Sequence, residues 1–210
     1  MSLLIVTAVE AEADAVRAGS SDSQVTVIAG GVGPTAAAAS TARHLALAES
    51  AGVPYTGVIS AGLAGAFAGR AQPREVMVAT ACIAAELGVA LPQRHQPIDE
   101  LGFGTNRLEC DADLVKSIAG PRGEFLTLAA VTGSVALADD LARRYPQALG
   151  EAMEGFGVAQ AADYAGLPFA EVRAVSNLVG DRDVAGWDWR GAFGALTEAF
   201  SVLNSPGGAK

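Results

Sequence analysis

Five residues in this chain combine types and positions that could do chemistry: Glu12, Glu154, Arg173, Ser176 and Asn177. Each falls where a strand is expected to end or a helix to open, and open α/β sheets bind ligands at the carboxyl ends of their strands. A carboxylate able to act as base, a second carboxylate and a fixed guanidinium suit attack by water on a sugar-like carbon. In that reaction positive charge develops on the sugar, and the leaving group gathers negative charge. Glu10 and Glu12 together follow the apolar run Leu3 to Val9, which leaves two readings open. They compensate the dipole of a helix N-terminus, or one of them faces the crevice.

Other chemistries find no seat. The two histidines, His44 and His95, fall on an Ala-rich helix and in a polar loop. There is no Gly-x-Ser-x-Gly for a hydrolase triad. Cys82 and Cys110 form no C-x-x-C, and no His, Cys and carboxylate cluster has metal-ligand spacing. Neither a metal nor a cofactor is therefore expected.

The elements that must position these groups centre on the stretch from Glu151 to Asp183. Its Met-Glu-Gly-Phe-Gly run opens a helix, Gly166 and Leu167-Pro168 stop it, and a strand follows through Arg-Ala-Val-Ser-Asn. Gly155 and Gly157 weaken the first helical turn by roughly 1 kcal/mol each relative to Ala; a sugar approaching beside Glu154 would account for them. Arg173 interrupts a run that reads as a buried strand, where an unpaired charge is expensive. The stretch reads as half of a site, with the other half expected at another strand end.

Earlier in the chain, Val25 to Ala29 reads as a strand, and Gly30-Gly31-Val32-Gly33-Pro34 leads into a helix ending near Gly52. Gly-Gly-x-Gly here is read as a tight turn with close helix–sheet packing in preference to a phosphate cradle. Gly57 to Ala61 and Glu75 to Cys82 are strand-like, and Gly62, Gly65 and Gly69 would let backbone approach a ligand. Leu91 to Asn106 reads as a long surface loop, a lid or an interface element. Thr127 to Val131 is a further expected strand, Val135 to Tyr145 a helix, and Trp187 to Leu203 an amphipathic helix. In that last helix Trp189, Phe193, Leu196 and Phe200 have core spacing.

The strand–helix alternation implies an α/β chain with a mostly parallel central sheet. With 210 residues, half of them hydrophobic, one domain over 1–204 with a short flexible tail at 205–210 is the simplest division. A net charge of −9 argues against nucleic acid as a partner. No basic leader and no apolar run of membrane-spanning length is seen, so no membrane partner and a cytoplasmic location are expected.

The same residues carry a resemblance. TAVEAEADAV, GGVGPTAAAA, SAGLAGAF, ATACIAAELG, VTGS, AMEGFGVAQAA and EVRAVSNLVGDRD resemble the nucleoside phosphorylase and nucleosidase superfamily over nearly the full length. Val-Gly-x-Arg-Asp after Asn177 resembles its futalosine hydrolase branch. The resemblance implies a single-domain three-layer sandwich, a purine nucleoside as small-molecule substrate and a homodimer or higher homo-oligomer. It implies that Glu12 activates the attacking water, and that Arg173 helps to place that water and holds the glutamate charged. It also implies that Glu154 accepts hydrogen bonds from the ribose 2′- and 3′-hydroxyls, with Met153 packed against the sugar. Ala64, Gly65 and Ser176 would adjoin the substrate, and Asp181 and Asp183 would either order their turn or touch the base.

Position 177 points to the base. Adenine-specific relatives carry Asp there, whereas the amide of Asn177 can donate to N7 or O6 of a 6-oxopurine. Sites built for one exocyclic group discriminate strongly against the other. Leu63 and Ala64 stand where related phosphorylases tend to place a hydroxyl, and Glu12 would repel phosphate. The implied reaction is hydrolysis of futalosine to hypoxanthine and dehypoxanthine futalosine, in a menaquinone route. Two other readings are a methylthioadenosine/S-adenosylhomocysteine nucleosidase and a non-catalytic purine-nucleoside binder on the same scaffold.

Overall fold

The computed structural model describes residues 1–92 and 94–204; the tail expected at 205–210 lies outside the described residues. Ten strands and five α-helices follow in the order β1 (Leu3–Thr7), α1 (Glu10–Gly19), β2 (Val25–Ala29), α2 (Pro34–Ser50), β3 (Gly57–Ala66), β4 (Val76–Ala84), β5 (Gly88–Leu91), β6 (Arg94–Pro97), β7 (Arg107–Glu109), β8 (Arg122–Thr127), α3 (Val135–Arg144), β9 (Ala148–Ala152), α4 (Gly155–Tyr164), β10 (Phe169–Leu178) and α5 (Trp189–Ser201).

β1 shows why the chain builds layers. All five of its residues are buried, and alternation sends them to two cores. Leu4 and Val6 join Ala37 and Leu45 of α2 and Val158, Ala159 and Ala162 of α4 on one side. Leu3 and Ile5 join Val16 of α1 and Leu196 and Phe200 of α5 on the other. Each such aliphatic side chain contributes roughly 1.5–3 kcal/mol on burial, so an apolar run without polar alternation is what a strand covered on both faces requires.

The sheet is mixed and partly closed. β1 pairs in parallel with β2 and β3, β3 with β10, β4 with β8, and β8 with β9. β10–β4, β3–β9 and β4–β7 are antiparallel. Because β10 joins β3 as well as β4, the strands β3, β10, β4, β8 and β9 form a ring, with β1 and β2 as an open wing. The α/β single-domain expectation holds, while the parallel character covers only part of the sheet. The ring brings the carboxyl ends of β3 and β10 beside β9, and the site lies there.

Three expectations are corrected. The strand expected at Thr127 to Val131 lies earlier, at Arg122–Thr127. Its opening charges read as loop, but Glu124 is ion-paired with Arg107, and Arg122 donates to the Ile118 carbonyl. The expected loop at Leu91 to Asn106 contains structure: β6 pairs antiparallel with β5 in a hairpin apart from the main sheet, and a 3₁₀ turn follows at Asp99–Leu101. Trp189 is not core. Leu196 and Phe200 are fully buried, but Trp189 is 42% exposed at the opening of α5.

Candidate active site

Glu12 is the third residue of α1, directly after β1, and is buried. The backbone N–H groups of Ala8 (2.9 Å) and Val9 (3.3 Å) donate to its Oε2, and that of Leu63 (2.8 Å) to Oε1. The helix start and the end of β3 thus clamp one carboxylate between them. Burial pushes the Glu12 carboxyl above its ordinary range, opposed by the charge of Arg173 and by these N–H donors. Glu10 takes the other of the two roles open to it, on the surface, with Arg17 as its ion-pair partner at 3.0 Å.

Arg173 is the largest fully buried side chain, 1% exposed, in the middle of β10. Its Nε donates to Glu171 Oε1 (2.8 Å), Nη1 to Glu154 Oε2 (3.3 Å) and Nη2 to Ser60 Oγ (3.0 Å). Glu171 precedes it by two residues and therefore shares its strand face. The other Glu171 oxygen accepts from the Cys82 thiol at 2.6 Å. Burial, then the contacts to Cys110 and Glu171, push that thiol well up, so it stays protonated and able to donate. Burial opposes the charge on Arg173, but Glu171, Glu154 and Glu12 outweigh it and hold the guanidinium firmly protonated.

The partnership expected between Arg173 and Glu12 therefore takes a different form. No direct hydrogen bond joins them among the described residues; Glu171 and Glu154 are the direct partners. Gly62 is what lets the pair approach. A Cβ there would lie 2.6 Å from Glu12 Oε1 and 2.9 Å from Arg173 Nη1.

Glu154 immediately precedes α4 and is buried, with Oε1 accepting from the Gly33 N–H at 3.1 Å. The Gly-rich turn before α2 thus touches the site through one backbone donor. The glycines after Glu154 do not make room for a sugar, as the sequence suggested. A Cβ on Gly155 would meet the Glu171 carboxylate at 2.2 Å, and one on Gly157 the Pro34 carbonyl at 2.1 Å. The helix start is weakened so that α4 can close on the Arg173 cluster and on α2.

These residues face a cavity of about 250 Å³. Glu12, Ala64, Gly65, Met153, Glu154, Ser176 and Asn177 all line it, while Arg173 lies behind the wall. Asn177 owes its aim to a bulge: the β10–β3 register shifts between Val175 and Asn177, leaving Ser176 extra. Its Nδ2 donates to the Leu178 carbonyl (3.0 Å) and its Oδ1 accepts from Ser176 Oγ (2.8 Å). One amide N–H is left to serve a ligand. Asp181 and Asp183 do not line the cavity. Asp181 accepts from the Val135 N–H at the start of α3 (3.2 Å), and the backbone carbonyl of Asp183 accepts from the Gly186 N–H (3.1 Å).

The sequence reading missed several members. Trp187 and Trp189 form a tilted pair at 5.0 Å and line the cavity, as do Val32, Thr132 and Glu151. Glu171 carried a legible signal, the two-residue spacing to Arg173; Ser60 and Cys82 carried none. Among the described residues, no group of His, Cys, Asp and Glu could hold a metal ion. No helix among them is long and apolar enough to cross a membrane.

Comparison with known proteins places this geometry. Residues 8–196 match the family model described as the phosphorylase superfamily. The chain is 45% identical to futalosine hydrolase of Streptomyces coelicolor, covering 97% of this chain and 95% of that protein. It is 41% identical to futalosine hydrolase of Acidothermus cellulolyticus, covering 96% and 90%. Among solved structures it is similar to a 5′-methylthioadenosine/S-adenosylhomocysteine nucleosidase from Colwellia psychrerythraea in complex with adenine. That similarity has a TM-score of 0.77 at 20% identity, over 97% and 93% of the two chains.

Proposed function

The chain belongs to the phosphorylase superfamily and, within it, to the futalosine hydrolase family, and on that premise we propose that it hydrolyses the N-glycosidic bond of futalosine, releasing hypoxanthine and dehypoxanthine futalosine. One observation carries water, not phosphate, as the nucleophile. The charged side chains lining the cavity are Glu12, Glu151 and Glu154, with no Lys or Arg among the described lining residues. A phosphate dianion would meet three carboxylates there, whereas a neutral water meets a base.

The steps follow from the positions. Loosening of the glycosidic bond builds positive charge on the ribose, which Glu12 and Glu154 stabilise electrostatically. Glu154, fixed by Gly33 and Arg173, grips the ribose hydroxyls, and Met153 packs against the ring. Glu12 takes a proton from water as its oxygen bonds to the anomeric carbon. The three N–H donors and the nearby Arg173 favour the ionised form of that carboxylate, against the burial that raises it. The bonding electrons leave with the purine, the free N–H of Asn177 stabilises the charge gathering at N7 or O6, and the hypoxanthine anion takes up a proton from solvent on release as Glu12 returns its own to solvent.

Asn177 also favours a 6-oxopurine over the adenine of the methylthioadenosine nucleosidases, whose likeness at 20% identity is one of fold. We further propose a place in the menaquinone route and a cytoplasmic location, which suits the free thiols of Cys82 and Cys110. A homodimer fits the 80% exposure of Phe103, which follows the β5–β6 hairpin.

The test is Glu12→Gln, with hypoxanthine release and substrate binding both measured. Turnover should vanish while futalosine still binds, and unaltered turnover would end the mechanism. A non-catalytic binder would show no hypoxanthine release from the wild type at any enzyme concentration.

A further inference from the structure

Glu151 has no role in the reaction as derived so far, yet it is 4% exposed and lines the cavity. No cation pairs with it among the described residues. Its donors are the Thr132 N–H (2.7 Å) and the Thr132 hydroxyl (2.6 Å). Burial pushes its carboxyl above the ordinary range, against those two donors, and Glu86 adds to the effect. A buried, cation-free carboxylate facing a ligand cavity is unfavourable unless a ligand donates to it. Two donors leave about half of its four lone-pair positions unused.

Its position in the sheet says which part of the ligand it meets. Gly65 of β3 is the register partner of Glu151 on β9 and of Asn177 on β10. Glu151 and Asn177 therefore flank one glycine, with about 10 Å between their backbones, two strand spacings. Gly65 contributes no side chain between them. Met153 follows Glu151 by two residues, just past the end of β9, and both line the cavity, so the sugar wall and Glu151 adjoin. A 6-oxopurine presents acceptors at N7 and O6 and a donor at N1–H along one edge. Asn177 offers the donor for the first group, and the cavity needs an acceptor for the second.

We propose that the Glu151 carboxylate, oriented by Thr132, accepts the N1–H of the bound 6-oxopurine and is the second determinant of base specificity beside Asn177. This rests on the proposed futalosine reaction. Adenine carries an unprotonated N1 and would present a lone pair to the carboxylate, so Glu151 excludes it by repulsion as well as by a missing donor.

The experiment compares futalosine with its 6-amino counterpart in the wild type and in Glu151→Gln. The Gln amide can donate to an adenine N1, so the 6-oxo to 6-amino ratio of kcat/KM should fall by roughly 5- to 150-fold. If both substrates lose rate equally, Glu151 only anchors the loop carrying Thr132, and the inference is overturned. A second measurement needs only the wild type: competitive binding of hypoxanthine against 1-methylhypoxanthine, which lacks N1–H. Hypoxanthine should bind tighter by a similar factor, and equal binding overturns the inference even if the variant does not fold. Wild-type protein that binds hypoxanthine selectively but releases none from futalosine would sink the reaction while sustaining the role of Glu151.

Discussion

Replacing Gly62 by Ala inserts one methyl group into the centre of the catalytic cluster. It would sit 2.6 Å from Glu12 Oε1 and 2.9 Å from Arg173 Nη1, where ordinary contact begins near 3.4 Å. The shortfall against an ordinary van der Waals separation is about 0.8 Å on the Glu12 side and about 0.5 Å on the Arg173 side. The movable one is the Glu12 carboxylate, because Arg173 is held by Glu171, Glu154 and Ser60. Overpacking of this kind costs about 1–3 kcal/mol, equivalent to about 2–12 °C in Tm for a chain of this length. A misplacement approaching 1 Å at the reacting groups lowers the rate by about 100-fold. Thermal unfolding and hypoxanthine release at saturating futalosine, on the same preparation, check both figures. The reasoning predicts a folded protein with kcat down by about two orders of magnitude. A Gly62→Ala protein that turns over at the wild-type rate refutes it, because Glu12 then does not need the position the structure gives it.

Three further outcomes follow from the same cluster. Arg173→Met should destabilise the fold by about 3–5 kcal/mol, since it strands Glu154 and Glu171 as buried charges; urea unfolding measures this, and a loss within experimental error contradicts the paired arrangement. Asn177→Asp should lower the preference for futalosine over its 6-amino counterpart, read as the ratio of kcat/KM. The acid limb of the kcat/KM profile should lie above the ordinary carboxylate value of 4.5, because Glu12 must be ionised to act and its carboxyl is raised. The same shift has the opposite sign for stability. A raised carboxyl contributes stability that is fully present below its unfolded value and is lost as pH rises through the folded one. Unfolding of Glu12→Gln should therefore lose less stability than wild type between pH 4 and pH 7, a window of carboxyl titration.

Much of this architecture was legible because apolar runs and punctuation agree with packing. Leu3 to Val9 and Val25 to Ala29 read as strands from composition, the first strand ending two residues earlier than that run, and Pro34 marked the start of α2. β9 was not legible. Ala148-Leu-Gly-Glu-Ala carries poor strand formers, and it is a strand because β8 and β3 flank it in the ring. Closure of that ring is a non-local fact, and it is also what sets Glu151 across Gly65 from Asn177. Arg173 announced itself as a buried charge, but its partners could not be assigned from one chain position. Glu171 was two residues away, while Glu154 and Ser60 come from a helix start and another strand, and Cys82 supports Glu171 from a third element. Trp189 shows the opposite failure: helical spacing marks a face, and the first turn of that face looks into the cavity instead of the core.

The central claim is that a cavity with three carboxylates and an amide-bearing bulge cleaves a 6-oxopurine nucleoside with water. Hypoxanthine or adenine release from futalosine, inosine and methylthioadenosine, each with and without phosphate, tests it most directly. The account predicts that futalosine is cleaved fastest, that methylthioadenosine is a poor substrate, and that phosphate leaves the rate unchanged. Faster cleavage of methylthioadenosine, or turnover that depends on phosphate, would contradict it.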